Sequence, residues 1–294
     1  MKPNETKRTR DVWNWFNREL AGYYPEREAH AIAAEVFKRL FDLPPDKRVL
    51  HANQTFTPPM LFRSQKALSA LMERIPVQYV TGVCSFLDAE IRVTSDVLIP
   101  RPETEELVLW AASAIREELQ SVDRDFSILD IGTGSGCIAI ALARRYPSAT
   151  VHACDISTSA LKIAKRNARL NGTKVLFYRM DVLDPESAPC QQADCIVSNP
   201  PYVRMQEKIH MNVNVLDYEP GQALFVPDED PLQFYRAIAR KEWLNPGGLL
   251  FLEINEAMGE GVMQLLGEKG FEWIGLKRDF RGKPRFVRAR KPRI

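Results

Sequence analysis

The sequence predicts an α/β protein: a mostly parallel sheet covered by helices on both faces, preceded by a small helical bundle. Three observations carry this reading. From residue 126 onward, apolar stretches such as "FSILDIG", "DCIVS" and "GGLLFLEI" alternate with amphipathic helical ones, the pattern of repeated βα units. Those strands are rich in Val, Ile and Leu with little polar alternation, which suits burial on both faces. Before residue 83 the apolar spacing is helical throughout.

Taken in order, "DVWNWFNREL" places Val12, Trp13, Trp15 and Phe16 at helical spacing. "EREAHAIAAEVFKRLF" places Ile32, Val36, Phe37 and Leu40 on one stripe, and "LPP" ends that helix. "SQKALSALMERI" reads as a further helix, capped by Ser64 and closed before Pro76. The tryptophans and phenylalanine of the first stretch read as bundle core. Residues 83–98 switch to strand-like alternation and predict a hairpin. "IPRPETEELVLWAASAI" opens a helix at Pro102, with acids in its first turn and Leu107, Val108 and Ala111 behind them.

Beyond it, "TVHACD" is followed by "STSALKIAKRNARLNG", a helix ending on Gly172. Strands over "KVLFYRMD" and "DCIVS", a helix near "PLQFYRAIARKEWL" and a strand over "GGLLFLEI" complete the repeating part. "FEWIGLKRD" and "PRFVRAR", joined by "FRGK", predict an antiparallel edge pair. The domain boundaries expected are 1–82 for the helical domain, 83–100 for the hairpin linker and 101–294 for the sheet domain.

Composition narrows the functional class. The 294 residues are 45% hydrophobic and 27% charged, an ordinary globular balance at a length that suggests two domains. No apolar run approaches the roughly 18 residues of a membrane span. "MKPNETKRTRDV" lacks the apolar core of a secretory leader. Five cysteines, an odd number without a CxxC pair or metal-ligand spacing, fit reduced thiols, so a cytoplasmic protein with no metal is expected. The net charge of +2 speaks against a groove built for nucleic acid.

Chemistry gathers at the strand ends. In "LDIGTGSGCIAIAL" a strand turns into a helix through Gly132, Gly134 and Gly136, where backbone can pass close to a ligand. Position 137 is Cys where a dinucleotide fingerprint wants glycine or alanine, and no Gly-Lys-Ser/Thr follows for a phosphate loop. GxGxG instead suits S-adenosylmethionine. Asp155 closes the next strand, about 20 residues on, where an acid can accept both hydroxyls of a ribose. Asp181 closes the third strand. "SNPPYV" closes the fourth, at residues 198–203.

Proline cannot donate to a strand ladder, so this last stretch also ends its strand. Its atoms suit a planar NH2 group. The side-chain oxygen of Asn199 and the carbonyl of Pro200 can each accept one N–H, Pro201 stiffens the loop, and Tyr202 can stack on the flat substrate. Catalysis by such a site is positioning and electrostatics, with Asn199, Pro200 and Tyr202 as the candidate catalytic residues. Arg101 and Glu103 are candidates for shaping the substrate mouth. The C-terminal run from Leu276, with nine basic residues and one acid, reads as a solvated edge.

These motifs, with "PVQYVTG" and "VLIPRPETEELV" upstream, resemble the protein-(glutamine-N5) methyltransferase family that modifies peptide chain release factors. The resemblance runs over nearly the whole chain, through "YEPGQAL", "LNPGGLLFLEI" and "DFRGKPRFV", and departs at Phe225 to Pro231. Asn-Pro-Pro-Tyr is shared with adenine-N6 and some RNA guanine methyltransferases; "IPRPETEELV" is the more specific mark.

The resemblance implies a Rossmann-like class I S-adenosylmethionine-dependent methyltransferase sheet behind a substrate-recognising helical domain. It implies methyl transfer to the glutamine of a release factor's Gly-Gly-Gln loop, in support of translation termination, with S-adenosylhomocysteine as product. Gly132, Thr133, Gly134, Ser135 and Gly136 would touch the methionine end of the cofactor. Asp155 would hold its ribose, with Asp181 and Val182 beside the adenine. Asn199, also next to the cofactor, would hold the glutamine with Pro200, Pro201 and Tyr202. Release factors are the expected partners of a monomer that takes neither membrane nor nucleic acid. The rival readings are a ribosomal protein's glutamine, an adenine or guanine amine in nucleic acid, and a non-catalytic cofactor-binding scaffold.

Overall fold

The computed structural model describes residues 7–119 and 125–293. Residues 1–6, half of the polar stretch read above for a leader, lie outside that range. The chain divides into two units: Met1–Val83 with Asn212–Tyr218, and Cys84–Met211 with Glu219–Ile294.

In the first unit a two-residue strand β1 (Lys7–Arg8) pairs antiparallel with β2 (Thr55–Phe56) around α1 (Thr9–Leu20), α2 (Glu26–Phe41) and α3 (Pro45–Leu50). Helices α4 (Pro58–Met72) and α5 (Val77–Thr81) follow. The apolar stripes meet in one core in which Val12, Phe16, Leu20, Phe37, Phe56 and Leu61 are fully buried. Trp13 is only partly buried, and the Arg48 guanidinium lies 3.6 Å from its ring centroid. Helix α4 starts six residues before the expected Ser64 cap. Pro58 and Pro59 occupy its first turn, where a missing N–H costs nothing, and Ser64 lies mid-helix with its hydroxyl donating to Leu61 O at 2.7 Å.

The second unit opens with the hairpin β3 (Val83–Phe86) and β4 (Ala89–Arg92), then α6 (Pro102–Glu118). Next come β5 (Ser127–Ile131), α7 (Cys137–Arg145), β6 (Thr150–Asp155), α8 (Thr158–Leu170), β7 (Leu176–Arg179) and β8 (Ala193–Ser198). After β9 (Val203–Arg204) the chain supplies α9 (Val213–Tyr218) to the first unit, where Tyr218 Oη donates to Glu73 O at 2.6 Å. Then follow β10 (Phe225–Val226), α10 (Gln233–Ile238), β11 (Leu244–Glu253), α11 (Gly259–Glu268), β12 (Glu272–Arg278) and β13 (Pro284–Arg290).

Among the described residues the main sheet has seven strands in the order β12-β13-β11-β8-β5-β6-β7. Strands β11, β8, β5, β6 and β7 run parallel; β13 runs antiparallel to both β11 and β12. From β5 the chain steps outward through β6 and β7, then crosses back to β8 and β11 on the other side. That reversal opens a crevice at the carboxyl ends of β5 and β8. The register pairs Ile131 with both Cys154 and Ser198, and Ser198 with Leu252. The residues one step further, Gly132, Asp155, Asn199 and Glu253, therefore share one sheet edge.

The hairpin is strapped to α8 by two asparagines one helical turn apart. Asn167 donates to Arg92 O and accepts from Arg92 N, both at 2.9 Å, and Asn171 makes the same pair with Glu90 at 2.8 and 3.1 Å. The helix expected near "PLQFYRAIARKEWL" is a short one, and α11 carries no clear sequence signal because its three glycines mask the periodicity. Two arginines of the basic C-terminal run, Arg288 and Arg290, pair with Glu118 of α6. No helix among the described residues is long and apolar enough to cross a membrane.

Candidate active site

A cavity of about 360 Å³ occupies the crevice at the carboxyl ends of the parallel strands. Gly132, Gly134, Asp155, Asp181, Val182 and Asn199 line it, and so do Pro200 and Pro201. Thr133, Ser135, Gly136, Tyr202, Arg101 and Glu103 do not. Walls that the sequence did not announce come from Leu98, after the hairpin, and from Phe234 and Ile238 of α10.

The glycine loop divides by role. Gly132 and Gly134 have φ of +72° and +54°, and a Cβ on either would meet nothing within 4 Å. They present bare backbone to open space. Gly136, at φ +84°, faces inward: a Cβ there would lie 3.0 Å from Ala164 Cβ and 3.3 Å from Ile140 Cδ1. It lets α7 approach α8. Thr133 and Ser135 are buried, and they hold the loop rather than face the cavity. Thr133 Oγ1 donates to Asp130 Oδ2 at 2.6 Å, and Ser135 O accepts from Asn167 Nδ2 at 2.9 Å.

Asp155, at the end of β6, braces the loop from the other side. Its Oδ2 accepts Gly134 N and its Oδ1 accepts Ser157 N, both at 2.8 Å. Burial raises its pKa, and those amide donors pull it partly back. Each oxygen keeps a lone pair for a further donor. Asp181 accepts Leu183 N at 3.0 Å beside Val182, and Ile156 and Met180 add apolar wall.

Asp130, two residues before Gly132 in "LDIG", was missed as the anchor of the loop. Its side chain is fully buried in β5; Oδ2 accepts from Thr133 and from Ala139 N, while Oδ1 has no partner. Burial pushes its pKa up to about 7, against the two hydrogen bonds. Asp130 does not line the cavity; it braces the glycine loop from beneath through Thr133 and Ala139. Open backbone at Gly132 and Gly134, a carboxylate acceptor at Asp155 and an apolar slot beside Val182 suit S-adenosylmethionine. The residues present fit it.

At the mouth of β8, Asn199 Nδ2 donates to Thr104 Oγ1 at 3.0 Å. Thr104 Oγ1 in turn donates to Glu253 Oε2 at 2.7 Å, and Tyr202 Oη donates to Glu253 Oε1 at 2.9 Å. Glu253 is 1% exposed, and burial raises its pKa to about 7. Tyr202 is thereby held by its hydroxyl on a carboxylate, and desolvation together with the Glu253 charge lifts its pKa well above the ordinary value.

The "IPRPETEE" motif works mainly as a clasp. Arg101 pairs with Glu219 at 2.6 Å, and Glu103 is 3.9 Å from Arg281. Glu105 accepts Leu87 N and Glu106 accepts Phe280 N. Thr104, directly after Glu103, is the member that reaches Asn199.

A family model described as "Methyltransferase small domain" matches residues 111–217. The chain is 40% identical over 277 residues to the release factor glutamine methyltransferase of Flavobacterium psychrophilum, covering 93% of this chain and 96% of that one. It is 45% identical to the protein of that name from Bacteroides thetaiotaomicron, over 75% and 78% of the two chains. A third such protein, from Thermosynechococcus vestitus, is 35% identical over 95% and 97%.

Proposed function

The chain belongs to the release factor glutamine methyltransferase family, and on that premise we propose that it methylates the N5 amide nitrogen of the glutamine in a release factor's Gly-Gly-Gln loop. The observation that carries the reading is the placement of Asn199 and Pro200 on the same cavity wall as Gly132, Gly134 and Asp155. An amide-nitrogen clamp and a nucleoside-type site then open on one space.

When bound, S-adenosylmethionine supplies an electrophilic methyl carbon on a sulfonium. Gly132 and Gly134 would leave room for its amino-acid end, and Asp155 would accept from its ribose. Val182 and Asp181 flank the base. On the substrate side, Asn199 Oδ1 and Pro200 O accept the two N–H groups of the glutamine amide. This draws the nitrogen lone pair out of conjugation and aims it. The site needs no strong base, because the nitrogen sheds its proton readily once it is alkylated. Pro200 is buried and carries no donor, so its carbonyl stays fixed and uncontested. The helical unit recognises the body of the release factor, and the protein works as a cytoplasmic monomer.

The test is incubation with methyl-labelled S-adenosylmethionine and, in parallel, release factors, ribosomal proteins and DNA, followed by peptide mass spectrometry. One added methyl on the Gly-Gly-Gln glutamine is the expected result. Label on a ribosomal protein or on nucleic acid overturns the substrate assignment.

A further inference from the structure

Asn199 can serve an NH2 substrate only if its amide oxygen, and not its amide nitrogen, faces the cavity. The two ends of an asparagine amide are nearly isosteric, so something must choose between them. The choice is made two bonds away. With Glu253 ionised, the one hydroxyl proton of Thr104 goes to Glu253 Oε2 at 2.7 Å. Thr104 Oγ1 can then only accept from its other neighbour, which fixes Nδ2 of Asn199 against it at 3.0 Å and turns Oδ1 away. The second oxygen of Glu253 takes the Tyr202 hydroxyl at 2.9 Å.

We propose that Glu253, acting through Thr104, is a positioning residue that sets the acceptor face of Asn199 and at the same time anchors Tyr202. The proposal rests on the reading of Asn199 as the acceptor for the substrate amide. Three elements meet in this arrangement: the first turn of α6, the loop after β8 and the end of β11. The parallel register that pairs Leu252 with Ser198 brings Glu253 beside Asn199. Asn255, two residues on, donates to Tyr202 O at 3.1 Å and to Glu207 Oε2 at 2.9 Å, so the end of β11 holds Tyr202 at both its hydroxyl and its carbonyl. Glu253 is 1% exposed and Thr104 2% exposed, so water cannot substitute for either.

Glutamine at position 253 would keep the shape and break the polarity. If its NH2 faces Thr104, Thr104 accepts there, sends its proton to Asn199, and the Asn199 amide turns over. If its NH2 faces Tyr202, the tyrosine loses its acceptor. Valine at 104 removes the link, and serine restores it.

The experiment measures transfer to a release factor, cofactor affinity by calorimetry and thermal midpoint for wild type, Glu253→Gln, Thr104→Val and Thr104→Ser. Glu253→Gln and Thr104→Val should lower kcat roughly 100-fold, the scale of losing one preorganised hydrogen-bonding group at a reacting centre. Cofactor affinity should not change, and Thr104→Ser should recover most of the rate. Wild-type rates in both variants with a folded, cofactor-binding protein overturn the proposal. So does parallel loss of rate and cofactor affinity without rescue by serine, which marks a merely structural role. A wild-type protein that binds cofactor but leaves every release factor unmodified refutes the proposed function instead.

Discussion

Arg101 and Glu219 form an ion pair across 118 residues of chain: Nη2 lies 2.6 Å from Oε1, and Glu219 Oε2 accepts Ile99 N at 3.2 Å. The Glu219 side chain is 1% exposed and that of Arg101 31%. The arginine that opens the "IPRPETEE" motif is thus committed to the fold. Removing it strands a buried carboxylate, which costs about 3–5 kcal/mol when both partners are fully buried and less here, since Arg101 is partly solvated. Arg101→Ala should therefore lower stability by about 2–3 kcal/mol in urea unfolding, with Glu219→Gln milder. A raised KM for substrate with unchanged stability would instead return Arg101 to the substrate mouth.

The three glycines of the loop should separate in mutagenesis. Gly136→Ala drives a methyl to 3.0 Å from Ala164 Cβ in the α7–α8 contact and also forces alanine to φ +84°. It should cost about 2–4 kcal/mol of stability from overpacking and backbone strain together. Gly134→Ala meets no atom within 4 Å, so its stability cost is the strain alone, about 1–2 kcal/mol. Its methyl projects where a ligand would lie, and cofactor affinity should drop more than stability does. Calorimetric Kd beside the thermal midpoint for both variants checks the contrast; equal losses in both columns would contradict it.

Asn199→Ala removes an acceptor on the cavity wall while leaving the glycine loop and Asp155 intact. Transfer should fall by two to three orders of magnitude, about the value of one preorganised hydrogen-bonding group or more. Cofactor affinity should stay within a few fold. Single-turnover transfer and equilibrium binding on the same preparation decide it, and unchanged turnover would end the role given to this amide.

Much of this was legible in the sequence because strand ends are written in it. An apolar run followed by glycine, aspartate or Asn-Pro marks both where a strand stops and which residue faces the crevice, and Gly132, Asp155, Asp181 and Asn199 all line the cavity. The same signal stood at Glu253, an acid closing "LLFLE", and at Asp130, and in both it passed unused. Roles within the motifs were not legible. Nothing local says that Thr133 and Gly136 face the core, that Arg101 turns to a glutamate 118 residues on, or that Thr104 reaches Asn199, 95 residues away. Those are facts of packing between distant elements. The assignment of α9 to the helical unit is of the same kind. The start of α4 was misplaced for a different reason: Ser64 was read as the cap, whereas Pro58 and Pro59 make a good first helical turn six residues earlier.

Asp130 gives a pH dependence whose sign can be worked out. Its folded pKa is raised to about 7 by burial, so the folded, ligand-free protein holds a proton that the unfolded chain releases near the ordinary carboxylate value. This contribution to stability is fully present below the unfolded value and is lost as pH rises through about 7. Glu253 titrates in the same window, so the difference between wild type and Asp130→Asn isolates the Asp130 part. Wild-type stability should therefore fall with rising pH up to about 7 by more than that of Asp130→Asn, and the two should then run parallel. Urea unfolding of both proteins across that pH range measures the difference. A steeper loss of stability in wild type than in Asp130→Asn is the expected result; equal losses would place the titrating group elsewhere.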